Sequence, residues 1–403
     1  MTPSRRTYCL IALLSPLLVF VLSGCGGKIV KETEAKTTPP PQPPPPPSIP
    51  MWLGNPSRNF YGTGPWSNEK LQIVWQFETK MISGRLHEDP WGGTSWPGQP
   101  SVDDQHVYFG SADGNLYCLD AKSGQLVWSY QTLDSLKATP AIAGDRIIAS
   151  GLDHFIYCFD KRSGTLLWKY QTGFEVDCGS AVIGDRVYFG GEDGFFYCLN
   201  LADGSVVYKT ERLGSMEGSF SAVEGRIYIG TELGELFCLN MSDGSTIWKA
   251  RIGADSDSTP AVANGFVYTA AENGFVYCFR QSNGELVWRF RTDGLKNGIW
   301  ASPIVANGRV HIGSSNGYLY CLTADTGEVV WRYKARAPIW GSSPMIGDRL
   351  VFGDKAGWLH VVSAPDGRSI SELNIGDNIN ATPAVLDGKI YIGAFNGKLY
   401  CLR

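Results

Sequence analysis

From about residue 107 to its end this 403-residue chain restates one unit, and that repetition limits its folds more than any other feature. A Cys following an aromatic or Tyr-like position recurs at Cys118, Cys158, Cys198, Cys238, Cys278, Cys321 and Cys401, with Val361 in the remaining slot, at intervals of 40, 40, 40, 40, 43, 40 and 40 residues. Each of the eight copies holds four short runs of apolar alternation, such as TPAIA, DRIIASG, FIYCFD and TLLWKYQT in the copy around Cys158. Between the runs stand Asp-Gly, Asn-Gly and Ser-Gly pairs, whose readiness to take positive φ suits tight hairpins. Helical periodicity is absent. Four antiparallel strands in a 40-residue unit describe one blade of a β-propeller, and regular self-similarity of this length is the signature of such arrays.

The two ends predict how the ring closes. The chain stops at LYCLR, after three strands of the eighth copy, and LQIVWQFET (71–79) supplies the missing fourth, matching GQLVWSYQT with Trp75 on Trp128. The expectation is an all-β, eight-bladed propeller over 71–403 whose C-terminal blade is completed by the N-terminal strand 71–79, leaving no free sheet edge. Trp75, Trp128, Trp168, Tyr208, Trp248, Trp288 and Trp331 fall four residues after a turn position, with Ser371 in the last slot. Residues spread evenly round a circumference read as mechanical docking between blades, and the blade bearing Ser371 is expected to have the weakest seam. The repeat cysteines read as small core residues, since equivalent positions on identical blades face the same way and cannot bridge. Cys178, the thiol outside the repeat slot, is expected to be inert because Asp177 beside it disfavours the thiolate.

Residues 1–24 read as an export signal: Arg5 and Arg6 precede an apolar run from Leu10 to Leu22, too short to span a bilayer. The run ends in Leu22-Ser23-Gly24-Cys25, which resembles a bacterial lipobox and makes Cys25 the expected lipidated residue. Gly26, in place of Asp, favours the outer membrane. SRRTYC (4–9) resembles a twin-arginine motif, which would let the thiols be buried before export, and the choice between that route and the general one stays open. Residues 25–50 end in PPPQPPPPPSIP, a polyproline II spacer, and 51–70 form a lead-in. Localisation in a bacterial envelope, anchored by lipid, follows from these segments. A net charge of −4 provides no basic footprint for nucleic acid. The cysteine spacing contains no CxxC pair for zinc, haem or thiol exchange.

LDAKSGQLVW (119–128) and LTADTGEVVW (322–331) resemble the repeat of the pyrroloquinoline-quinone-type propellers, through Asp120, Gly124 and Trp128 and through Asp325, Gly327 and Trp331. The resemblance implies that each turn Gly docks on the Trp of the adjacent blade. It also implies two functional branches, quinone-dependent alcohol or sugar dehydrogenases and cofactor-free propellers. A lipobox, a tether and one propeller resemble, in the second branch, the scaffold lipoproteins of the outer-membrane β-barrel assembly machinery. MWLGNPSRNFYGTG (51–64) is more similar to the lead-in of generic quinoprotein-repeat proteins.

Variation gathers in the loops before each TP or SP, where function concentrates on a rigid scaffold. Three residues before that Pro slot stand Pro97, Lys137, Asp177, Glu217, Asp257, Trp300, Gly341 and Asn380, with Trp340 offset by one. The long insertion 80–100 adds His87, Glu88, Asp89, Trp91 and Trp96. The expected site is a partner-binding face made of Trp91, Trp96, Lys137, Asp177, Glu217, Asp257, Trp300, Trp340 and Asn380, suited to envelope proteins or peptides with basic side chains. The competing readings are solvated loop acids, a Ca²⁺ site on Asp177, Glu217 and Asp257, or a quinone (PQQ) dehydrogenase with Ca²⁺. The last lacks the adjacent Cys pair of many such enzymes, so no cofactor and no catalytic residue is expected, and the propeller is expected to be a monomer.

Overall fold

The computed structural model describes residues 48–59, 62–64, 70–80, 99–294 and 298–403. The expected signal and Cys25, most of the tether, and Trp91 and Trp96 lie outside the described residues. Eight four-stranded antiparallel sheets form eight blades. The first blade is Ser101–Val102, His106–Gly110, Asn115–Asp120 and Leu126–Gln131. The eighth is Ala384–Leu386, Lys389–Ala394 and Lys398–Leu402, completed by Ile73–Glu78. Trp75 pairs with Cys401, Phe77 with Leu399 and Glu78 with Lys398, and Gln72 and Arg403 exchange backbone hydrogen bonds at 2.8 and 2.9 Å. The composite blade therefore stands as the sequence implied.

Burial explains the residue pattern. The second and third strands are covered on both faces by neighbouring blades and are apolar almost throughout, whereas each fourth strand alternates, having one face in water. A one-residue bulge precedes every docking ring: Leu119 faces Leu126, Cys118 faces Trp128, and Val127 is the extra residue. The bulge turns the indole sideways onto the next blade. Trp75 lies against Gly124, Trp128 against Gly164, Trp248 against Gly284 and Trp331 against Gly367, while Tyr208 lies against Gly244. Gly124 sits at φ +72° and a Cβ there would come within 2.6 Å of the Trp75 ring, so this slot admits only glycine. Each ring also donates to a carbonyl of that neighbour, as from Trp128 to Lys161 at 3.0 Å and from Trp288 to Ala324 at 3.0 Å. At the seam of blades seven and eight the pair is exchanged: Leu71 stands in the Gly slot, buried, and its N–H donates to the Ser371 hydroxyl at 3.2 Å. The large residue has moved to the opposite side of the seam, so the missing Trp leaves no simple void.

The lead-in is part of the body. Ile49 bridges Val102, Ile142 N–H donates to the Pro50 carbonyl at 2.6 Å, and Ala222 N–H donates to the Pro56 carbonyl at 2.7 Å. Leu53 packs with Ile304 and Met345, and Thr63 N–H donates to the Val385 carbonyl at 3.3 Å. All of these partners belong to innermost strands, whose free edges line the axis, so 48–59 and 62–64 plug the central channel and partner those edges. Arg58 is wholly buried there and donates to the carbonyls of Phe220 at 2.7 Å and Trp52 at 2.6 Å.

Candidate functional site

The loops that run from each outermost strand to the next blade's innermost strand share one face of the ring with the turns between second and third strands. Consecutive loops are fastened by one type of bond. Gly179 N–H donates to the Ser219 hydroxyl at 2.8 Å, Thr259 to Ser302 at 3.0 Å, Ser302 to Ser342 at 2.8 Å, and Ser342 to Thr382 at 2.9 Å. The hydroxyls of Ser219, Ser302, Ser342 and Thr382 thus latch four of the loops to their neighbours and hold Glu217, Trp300, Trp340 and Asn380 two positions earlier.

Residues of these loops line a cavity of about 130 Å³. Lys137, Asp177, Glu217, Asp257 and Trp300 line it, and Trp52 of the plug lines it as well, together with Thr139 and Thr259. Five of the residues singled out from the sequence therefore meet in one place. Trp340 is adjacent, its ring centroid 4.8 Å from that of Trp300, with Lys355 over its other side at 3.2 Å. Asn380 is buried in its loop and does not line the cavity.

The electrostatics are one-sided. Lys137 pairs with Asp177 at 3.3 Å. Around them stand Glu175, Glu192, Glu232, Asp255 and Glu272, none of which the sequence reading had singled out. Burial, then the charges of Asp177 and Glu175, push Glu192 up to about 8. Burial raises Glu217 as well, reinforced by Asp257, Asp177, Glu192 and Glu232. Burial raises Asp257 too, reinforced by Asp255 and Glu272. Asp257 is the more enclosed of these two, and Glu217 keeps an exposed flank where water screens its neighbours. One oxygen each of Asp177, Asp255 and Asp257 is buried without a hydrogen-bond partner, although Asp255 and Asp257 stand close enough to share a proton through their other oxygens, and the indole N–H of Trp52 is buried without an acceptor. A buried acceptor without a partner is costly, so this arc is built to receive donors. Glu192, Glu232 and Glu272 were legible in principle: they recur at the same 40-residue interval as the loop acids.

Two further points concern the competing Ca²⁺ reading and Cys178. Among the described residues no group of three His, Cys, Asp or Glu side chains is placed to hold a metal ion. Asp177, Glu217 and Asp257 come from successive blades and are distributed along the cavity wall, with Asp177 engaged by Lys137, so they do not converge on Ca²⁺. Cys178 is raised to about 11, as expected in direction, but chiefly by complete burial, with Asp177 a minor contribution.

Comparison with known proteins places this geometry. The family model described as outer membrane protein assembly factor BamB matches residues 69–212, 209–294 and 234–403. Among solved structures, BamB from Moraxella catarrhalis superposes with a TM-score of 0.67 at 18% identity, covering 83% of this chain and 99% of that one. The quinohemoprotein alcohol dehydrogenase from Comamonas testosteroni gives 0.74 at 13% identity, covering 88% and 80%. At such identities the likeness is one of fold. The dehydrogenase subunit of a quinone alcohol dehydrogenase from Gluconobacter oxydans is 33% identical over 84 residues, which is 18% of this chain and only 10% of that relative's length.

Proposed function

Since the chain belongs to the outer membrane protein assembly factor BamB family, matched from residue 69 to residue 403, we propose that it is a protein-docking platform of the bacterial cell envelope. In this reading Cys25 carries the lipid that holds it to the outer membrane, the Pro-rich tether spaces it from the surface, and the face of converging loops takes a basic segment of an envelope protein. One observation carries the reading: an arc of acidic side chains, with buried oxygens left without a hydrogen-bond partner, lines a cavity beside two tryptophans, with Lys137 the lone cation among the lining residues. A lysine or arginine side chain would supply the missing donors and relieve the mutual repulsion of the acids, while Trp300 and Trp340 offer apolar area to its stem.

The quinone reading fits these residues poorly. The cavity, at about 130 Å³, falls below the roughly 300–1,000 Å³ of small-molecule pockets. Trp52 of the plug takes part of its wall. The chain is therefore read as a binding protein and not as an oxidoreductase.

The test is the triple variant Asp177→Asn, Glu217→Gln, Asp257→Asn. Capture of the partner found by crosslinking should fall at least about tenfold, the effect of losing one charge-assisted contact or more, with no loss of thermal stability. Unchanged capture would refute the reading. So would reduction of an artificial dye by an alcohol or sugar after addition of quinone and Ca²⁺.

A further inference from the structure

On the face opposite the acidic cavity, where each first strand turns into the second, the seam of blades six and seven holds a second cavity of about 300 Å³. It is lined by Ala306, Asn307, Arg309, His311, Met345, Gly347, Asp348, Ala364 and Pro365, of which Arg309 and His311 carry the chemistry. The repeat explains why it exists here. The second-strand position beside the docking ring is Tyr108, Tyr188, Tyr228, Tyr268 and Tyr391 in five blades, and His311 in blade six. His311 occupies the tyrosine's place against its own docking ring, with centroids of His311 and Trp331 5.6 Å apart, as Tyr268 stands 6.0 Å from Trp288. The phenol of Tyr268 extends across the seam and donates to the Ala324 carbonyl at 3.1 Å, and Tyr391 reaches the Ala121 carbonyl at 3.3 Å. Imidazole is shorter and carries no hydroxyl to make that bond. The corresponding carbonyl, Ala364, accepts from the Trp331 indole at 3.0 Å, as Ala324 does from Trp288.

His311 is 2% exposed; backbone groups of Ala364 and Ile304 lie close enough to act on its ring, but neither ring nitrogen meets them in hydrogen-bond geometry. Burial pushes it down to about 4 against the opposing pull of the Ala364 and Ile304 backbone, with Arg309 a smaller contribution in the direction of burial, so the ring is neutral near pH 7 and presents one donor and one acceptor. Arg309 also differs from two of its repeat equivalents. Arg146 reaches the Leu201 and Ala202 carbonyls across its seam and Arg226 that of Gln281 at 3.2 Å. Across the enlarged seam, Arg309 makes no ion pair or hydrogen bond among the described residues. The acid at the rim, Asp348, is 75% exposed and lies 3.9 Å from Arg349.

An unsatisfied buried imidazole, an unpaired guanidinium and a cavity of ligand size form a site with a definite preference. We propose that this seam binds a small organic anion, its carboxylate on Arg309, a neutral polar group on His311, and its apolar body against Met345, Ala306 and Pro365. The site is independent of the acidic face, so either assignment can fail alone.

The test follows the imidazole ¹⁵N resonances of the full chain during titration with benzoate, with benzyl alcohol as the uncharged control. Benzoate should shift the His311 signals saturably in the millimolar range, and benzyl alcohol should bind at least about tenfold more weakly, as expected for loss of a charge-assisted contact. Arg309→Gln should weaken benzoate by a similar factor. His311→Tyr restores the residue of five other blades; it should abolish binding while leaving the melting temperature equal or higher. Absence of a saturable shift into the tens of millimolar, equal affinity for benzyl alcohol, or binding undiminished in either variant would overturn the proposal.

Discussion

The seam between the composite blade and blade one is the place to test how the ring is held together. Trp75 is 9% exposed, lies flat against Gly124, and donates to the Ala121 carbonyl at 3.3 Å. Trp75→Ala removes the ring and leaves a cavity at the closure, a cost of about 3–5 kcal/mol. Gly124→Ala acts from the opposite side. Its Cβ would sit 2.6 Å from the indole at φ +72°. The left-handed backbone costs an alanine about 1–2 kcal/mol, and the overpacking adds about 1–3 kcal/mol. In the double variant the backbone strain persists and the collision disappears. The combined loss should therefore fall short of the sum of the single losses by about 1–3 kcal/mol, a coupling of the size seen for residues in contact. Guanidinium chloride unfolding followed by far-ultraviolet circular dichroism measures all four proteins without relying on the deleted fluorophore. Additivity within about 0.5 kcal/mol would mean that the two residues do not bear on one another, and the docking scheme would be wrong.

The exchanged seam gives the converse. Ser371→Trp alone should destabilise by about 1–3 kcal/mol through collision with Leu71, and Leu71→Gly in the same chain should recover most of that loss in the same unfolding assay. The acidic arc makes stability depend on pH in a definite direction: Glu192 is raised from 4.5 to about 8, so the folded chain keeps a proton that the unfolded chain has already released. Its stabilising contribution is present below pH 4.5 and is lost as pH rises through about 8, and Glu217 and Asp257 act with the same sign. Melting temperature should fall between about pH 5 and pH 8, and Glu217→Gln with Asp257→Asn should flatten that slope; a steeper slope would contradict the burial of these acids. The eight described cysteines are all buried and free, and Cys178 stands at about 11. An aromatic disulfide reagent should therefore label them only as fast as the protein unfolds, and rapid labelling of the native chain would show the thiols to be accessible.

The parts of this molecule that were legible in its sequence are those written in side chains with a period. Strand number, blade number, the closure through Trp75 and the docking rings all follow from spacing, because each repeat must bury the same face in the same way. The plug was not legible for a physical reason. Its ties to the blades are backbone carbonyls of Pro50, Pro56 and Val385 and backbone N–H groups, and these leave no pattern in residue type. The loop acids were found from their register, while Glu192, Glu232 and Glu272, in the same register one turn later, were hidden inside residues that read as hairpin turns. The weak seam expected at Ser371 took no account of Leu71, since compensation across 300 residues is invisible until the two ends meet.

Docking through the acidic face is tested most directly by a photo-crosslinking residue placed at Leu233, 71% exposed beside Glu232, with Lys122 on the opposite face as the control position. Irradiation of intact cells should join Leu233-substituted protein to an envelope protein, and the adduct should disappear when Asp177, Glu217 and Asp257 are neutralised. An adduct formed only from position 122, or one from position 233 that survives neutralisation, would contradict it.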